Sequence, residues 1–180
     1  MNHKRVFIAL DIPEEVRDEI ERCQIGIPTA KWTKKENLHL TLEFLGEIPL
    51  DLFEHIREIL REVQGKRFRI SLQEPNVFIK KQKILWLKAI PNEPVIALRN
   101  EIIKLLQKYK IPLSKPAQNF IPHVTIARMD VVNQRKLNEY LLSFEGFTTM
   151  EFDVVSFFLY SSILHPHGSI YTKEEEYALF

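Results

Sequence analysis

Six histidines are spread over 180 residues, and two of them stand in the same local phrase. His39-Leu40-Thr41 lies within LHLTLEFLGE and His123-Val124-Thr125 within PHVTIAR, 84 positions further on. Histidine is the side chain that takes or gives a proton near neutral pH, so a pair can act as base and acid on opposite sides of one reacting centre. Threonine hydroxyls donate hydrogen bonds to an anion without adding charge. The set suits in-line displacement at phosphorus, in which one imidazole activates the attacking oxygen, the other protonates the leaving oxygen and the hydroxyls hold the non-bridging oxygens. Metal binding is the less favoured reading, because a zinc site needs a third ligand or a nearby carboxylate. Glu43, on the same alternating face as His39 and Thr41, is the one residue whose spacing leaves that open, and its equivalent, Ala127, breaks the symmetry.

Such residues need strands to aim them. An extended strand sends successive side chains to opposite faces. Leu38, Leu40 and Leu42 then share the buried side while His39 and Thr41 face away, and Val124 and Ile126 stand likewise against His123 and Thr125. A lone His-x-Thr on a strand is more often a half-exposed sheet face than a site, since threonine is a good strand former. Two copies at matched positions of an internal repeat read differently: a duplicated scaffold has to keep its apolar positions, whereas keeping both polar ones is better explained by chemistry.

The repeat runs through the chain. RVFIALDIP, a strand, precedes the helical pattern EEVRDEIERC, with Val16, Ile20 and Cys23 at spacings of four and three. ILWLKAIP precedes VIALRNEIIKLLQKY, where Ile96, Leu98, Ile102, Ile103, Leu105 and Leu106 crowd one side. Each half then reaches its histidine strand, a helix (LDLFEHIREILREV or NQRKLNEYLLSF) and a further strand (RFRISL or EFDVVSFFLY). Two copies of strand, helix, strand, helix, strand predict an α+β protein whose similar lobes pack about an approximate two-fold axis. The halves, approximately 1–77 and 78–180, are too short to be separate domains of normal size, so one domain with a shared core is expected.

Bulk composition narrows the classes. A hydrophobic content of 45% with 11% aromatics is that of an ordinary globular protein. With 25 basic against 24 acidic residues, no overall cationic field exists to hold a long nucleic acid, so phosphate binding must be local. The single cysteine, Cys23, excludes an internal disulfide and a cysteine-rich metal site, which fits a reducing cytosol. No run approaches the roughly 18 apolar residues of a membrane span, and MNHKRVFIALDIP meets Asp11 too early for a signal-peptide core. A cytoplasmic, monomeric protein is expected.

With both phrases in place, the chain resembles the 2H phosphoesterases, named for two His-x-Thr/Ser motifs, and within them the RNA 2′,3′-cyclic phosphodiesterases historically called 2′-5′ RNA ligases. RVFIALDIP is similar to that branch's N-terminal strand, HLTLEFLGE and PHVTIAR to its two motifs, and FLYSSILHPHGSIY to its C-terminal pattern, carried here by Ser161 or Ser162, Leu164, Gly168 and Tyr171. The resemblance implies a bilobal fold with two antiparallel sheets lining a central cleft, helices outside, and no metal or nucleotide cofactor for hydrolysis. It makes His39 the proton donor to the leaving 3′ oxygen and His123 the base that activates water, with Thr41 and Thr125 on the phosphate oxygens. A pseudo-symmetric site can also run with acid and base exchanged when the other ester bond is broken. Arg128 closes the second motif and its fixed charge suits a phosphate. Strict alternation, however, points it away from His123, so it reaches the cleft only if the strand ends or bulges there.

The expected partners are RNA or oligonucleotides with a 2′,3′-cyclic phosphate end and small cyclic nucleotides. Ligation of such an end to a 5′-hydroxyl, and a non-catalytic RNA-end-binding module, are the alternatives. Elsewhere, His3 and His55 read as solvated, and His165 and His167 as a turn before Gly168. Lys80, Lys81 and Lys83 read first as a hairpin turn and second as a backbone contact to RNA. Trp32 and Trp86 read as packing residues, though Trp32, beside Lys31, Lys34 and Lys35, has the surroundings to stack on a base.

Overall fold

Alternation and helical periodicity are carried through in the structure, a computed structural model that describes residues 3–79, 82–113, 120–166 and 168–180. Lys80, Lys81 and His167 lie outside the described residues. The first repeat comprises β1 (His3–Asp11), α1 (Glu14–Glu21), a two-residue strand β2 (Lys31–Trp32), β3 (His39–Pro49), α2 (Leu50–Ile59) and β4 (Phe68–Ile79). The second comprises β5 (Lys83–Ile90), α3 (Glu93–Lys108), β6 (His123–Met129), α4 (Gln134–Ser143), β7 (Phe152–Val154) and β8 (Ser156–Ile163), and β9 (Ile170–Ala178) closes the chain. β4 and β5 pair antiparallel, the last described pair being Ile79 with Lys83, so Lys83, read as part of a turn, opens β5 instead.

The strand order is β7-β4-β5-β6-β3-β1-β8-β9, with β2 on β6. It consists of two equivalent leaves, β4-β5-β6 and β8-β1-β3, set head to head. They join through one antiparallel bridge, Leu40 with Val124, two residues related by the 84-residue repeat. A second set of equivalent residues meets where β7 pairs β4: Phe68 with Val154, Arg69 with Asp153 and Ile70 with Phe152. Because β7 runs on into β8, the two ends of this order approach each other, and the sheet curls. The predicted two sheets are thus leaves of one hydrogen-bonded path about a pseudo-two-fold axis.

The helices cover the apolar face. Val16 and Ile20 of α1, Phe53, Ile56 and Ile59 of α2, and Leu137 and Tyr140 of α4 are buried. On α3 the buried stripe is Val95, Leu98, Arg99, Ile102 and Leu106; Ile96, Ile103 and Leu105 of the predicted stripe lie at its flanks, only partly buried. One apolar cluster contains Leu40 and Leu42 from one half together with Val124 and Ile126 from the other. Truncating a fully buried leucine such as Leu40 to alanine costs about 2–5 kcal/mol. The opposite face carries a smaller cluster of Phe7, Ala9 and Tyr160, with Phe158 and Tyr171 packed against it.

Candidate active site

The bridge between Leu40 and Val124 decides the site. Their neighbours project to the opposite face, so His39 stands across from Thr125 and Thr41 across from His123, with the imidazoles on a diagonal. Diagonal positions of a regular antiparallel pair lie about 7–8 Å apart, which leaves room for one phosphate between the rings. His39, Thr41, His123 and Thr125 line a single cleft of about 300 Å³, together with Arg5, Phe44 and Arg128.

Both rings are anchored in the same way. His39 Nδ1 lies 2.7 Å from the Asn37 carbonyl oxygen and His123 Nδ1 2.6 Å from that of Ile121. Each Nδ1–H donates to the backbone two residues upstream, and the two carbonyls are again equivalent by repeat. This tautomer leaves the lone pair of the neutral ring on Nε2, the nitrogen at which a proton can be accepted. Nε2 of His39 is 3.0 Å from Thr41 Oγ1, so neutral imidazole accepts from the hydroxyl. Asn37 also ties in the C-terminal hairpin, since its amide donates to the Ser169 carbonyl at 2.9 Å.

Aromatic walls hold each ring upright. Phe7 lies 4.9 Å and Tyr171 5.2 Å from the His39 ring, the latter edge-on, while Phe78 and Trp86 lie 5.1 and 5.5 Å from His123. Burial in this wall is the main cause that pushes the His39 pKa below its ordinary value. The hydrogen bond to Asn37 and the charge of Asp11 oppose it, and the charges of His123 and Arg128 push further down. A bound phosphate diester brings the opposite charge and favours the protonated ring.

The structure answers the two questions that alternation left open, with one device used twice. On β3, Thr41 pairs with Ala9 and Glu43 with Ile8, so Leu42 is bulged out of the ladder. On β6, Thr125 pairs with Trp86 and Ala127 with Leu85, so Ile126, the repeat equivalent of Leu42, is bulged likewise. Each bulge resets the alternation. Arg128 therefore returns to the cleft face, where it is exposed and, among the described residues, makes no ion pair.

The same reset corrects the expectation that Glu43 shares a face with His39. Its carboxylate is turned inward, only 7% exposed, and accepts from Arg99 Nη2 at 2.7 Å. The carboxylate that spacing offered as a metal ligand is taken up by α3. Phe44 occupies the cleft position instead, with the Arg5 guanidinium 4.9 Å from its ring centre. A second irregularity follows at Gly46, whose φ of +80° is a conformation open to glycine at little cost.

Of the C-terminal pattern, Ser162 and Tyr171 line the cleft, whereas Leu164 is 64% exposed. Trp86 is buried against Phe78, as a packing residue should be. His55 is exposed on α2, and the turn predicted at Gly168 is present, its N–H donating to the His165 carbonyl at 3.0 Å.

A duplicated α+β fold whose halves each bring a His-x-Thr strand to a shared cleft is the arrangement that gives the 2H phosphoesterases their name. The chain belongs to the 2′-5′ RNA ligase superfamily, whose family model matches residues 12–165. It is 31% identical over 180 residues to the RNA 2′,3′-cyclic phosphodiesterase of Methanocaldococcus jannaschii, covering 96% of this chain and 99% of that one. The protein of the same name from Aquifex aeolicus is 32% identical over 174 residues, covering 94% and 90%. The crystal structure of Escherichia coli LigT complexed with 3′-AMP superposes with a TM-score of 0.79 at 22% identity, covering 98% of both chains, and shows the shared fold. Among the described residues no helix is long and apolar enough to cross a membrane.

Proposed function

We propose that the protein is an RNA 2′,3′-cyclic phosphodiesterase, a hydrolase that opens 2′,3′-cyclic phosphate ends to 2′-phosphomonoesters by two-histidine acid-base catalysis. The observation that carries this reading is the Leu40–Val124 register, because it puts both His–Thr pairs around one phosphate-sized space. Neutral His123 takes a proton from water at Nε2 as the water oxygen attacks phosphorus. The bond from phosphorus to O3′ breaks, and His39, as imidazolium, gives its Nε2 proton to that oxygen. Thr41 and Thr125 donate to the non-bridging oxygens, and Arg128 offsets their charge. The two relatives carrying the activity in their names support the substrate class. On this reading residues 1–180 act as one domain, since each half supplies one histidine to the cleft, and the protein is read as a cytoplasmic monomer.

Ligation at the same site replaces water with a 5′-hydroxyl. Water at about 55 M wins unless the second RNA end is held at a comparable effective molarity. The deciding experiment is turnover of a 2′,3′-cyclic nucleotide by purified protein, with the product identified by phosphorus NMR. A 2′-phosphomonoester is the expected product; no turnover, or a 3′-phosphomonoester, rejects the assignment as written.

A further inference from the structure

The catalytic cleft does not end at Arg128. On its far side lies a second groove of about 520 Å³, lined by Lys31, Trp32, Lys34, Gln82, Arg128 and Tyr171 among others. Arg128 and Tyr171 also line the cleft itself, so the two spaces adjoin across these residues. Their common wall is rigidly built: β2 pairs with β6 through Lys31–Arg128 and Trp32–Ala127, and Thr33 Oγ1 donates to the Thr125 carbonyl at 3.0 Å. One side of Trp32 rests on the core beside Tyr140, 6.2 Å between ring centres, while the residue remains partly exposed to the groove.

The lysines around Trp32 differ in their engagements. Lys35 is held by Glu14 and Asp18, and Lys31 by Asp130 at 2.6 Å. Lys34 is exposed and, among the described residues, makes no ion pair. The groove thus offers an aromatic face, an ammonium with no ion pair among the described residues, and the Arg128 guanidinium, which it shares with the cleft. The cavity on the other side of His123, of about 440 Å³, balances Lys88 with Glu74 and has no such excess of positive charge. A backbone with one negative charge per residue, leaving the cleft, is drawn toward Arg128 and not toward Glu74.

We infer that this groove holds the RNA strand immediately 5′ of the cyclic end, with a base stacked on Trp32 and a phosphate on Lys34. The inference rests on the cyclic phosphodiesterase reading for the chemistry at that end, and it makes the substrate an oligonucleotide in preference to a mononucleotide. A volume of 520 Å³ is within the usual range of small-ligand sites, about 300–1,000 Å³.

The test compares kcat/KM on 2′,3′-cyclic AMP and on a tetranucleotide ending in a 2′,3′-cyclic phosphate, for wild type, Trp32→Leu and Lys34→Glu. The oligonucleotide is expected to be preferred by about tenfold or more, the scale of one base stack, and each variant to pull that ratio toward one. Lys34 is exposed, so its variant keeps the test open if Trp32→Leu fails to fold. A wild-type ratio near one, or a ratio that neither variant changes, overturns the inference. If wild type turns over neither substrate, the chemistry has failed and the groove is judged by anisotropy of a fluorescein-labelled tetranucleotide ending in a 2′-phosphate. Binding weakened by Lys34→Glu then supports the groove, and binding that is absent or indifferent to both changes overturns it.

Discussion

Glu43 and Arg99 offer the sharpest check on how the site is held. Both are 7% exposed, and their 2.7 Å contact is supplemented by Arg99 Nε donating to the Leu42 carbonyl at 2.9 Å. That carbonyl belongs to the bulged residue of β3, so Arg99 clamps the bulge that turns Phe44 into the cleft. The same guanidinium lies 4.5 Å from the Phe120 ring centre, one residue before the Ile121 carbonyl that anchors His123. Glu43→Ala leaves a buried cation without its partner and is expected to cost about 3–5 kcal/mol. At about 2–4 °C per kcal/mol for a chain of this size, the melting temperature should fall by roughly 6–20 °C. Replacing both residues, Glu43→Leu with Arg99→Met, removes the uncompensated charge and should recover most of that loss, less about 1–3 kcal/mol for the stranded Leu42 carbonyl. Thermal and urea denaturation of the single and double variants measure the coupling. A single variant that melts within about 2 °C of wild type would refute the claim that this pair is desolvated and structural.

His39→Ala and His123→Ala should each lower turnover of a 2′,3′-cyclic nucleotide by at least about 10² while melting cooperatively; near-normal rates in either would end the acid-base assignment. Because the free-enzyme His39 pKa is lowered, its protonated form is lost as pH rises through a value below the ordinary 6.5, and kcat/KM should fall over that window. Arg128→Gln removes the smallest of the named influences that lower it, so this alkaline limb should move slightly to higher pH; a shift to lower pH would contradict the sign of that influence. Activity should survive excess EDTA, whereas loss reversed by zinc or manganese would give the histidines a ligand role.

Two periods on the chain were enough to find the histidines. Alternation of Leu38, Leu40 and Leu42 against His39 and Thr41, written again 84 positions later, set which face each residue takes and that two equivalent strands carry them. These are local properties, because a strand's side-chain period is two whatever lies beside it. Arg128 and Glu43 were not legible in the same way: each lies just beyond a bulge, and a bulge is defined by the partner strand, β5 or β1, that fails to match it residue for residue. The aromatic walls were hidden for a related reason, since Phe7 and Tyr171 come to His39, and Phe78 and Trp86 to His123, from strands distant in sequence. The carbonyls of Asn37 and Ile121 carry no sequence signal at all, since every residue has one. Sequence determined the chemical groups and the face of the two His-x-Thr phrases; tertiary pairing decided the face of the residues beyond each bulge and which groups share the cleft, because only a contact between strands sets register.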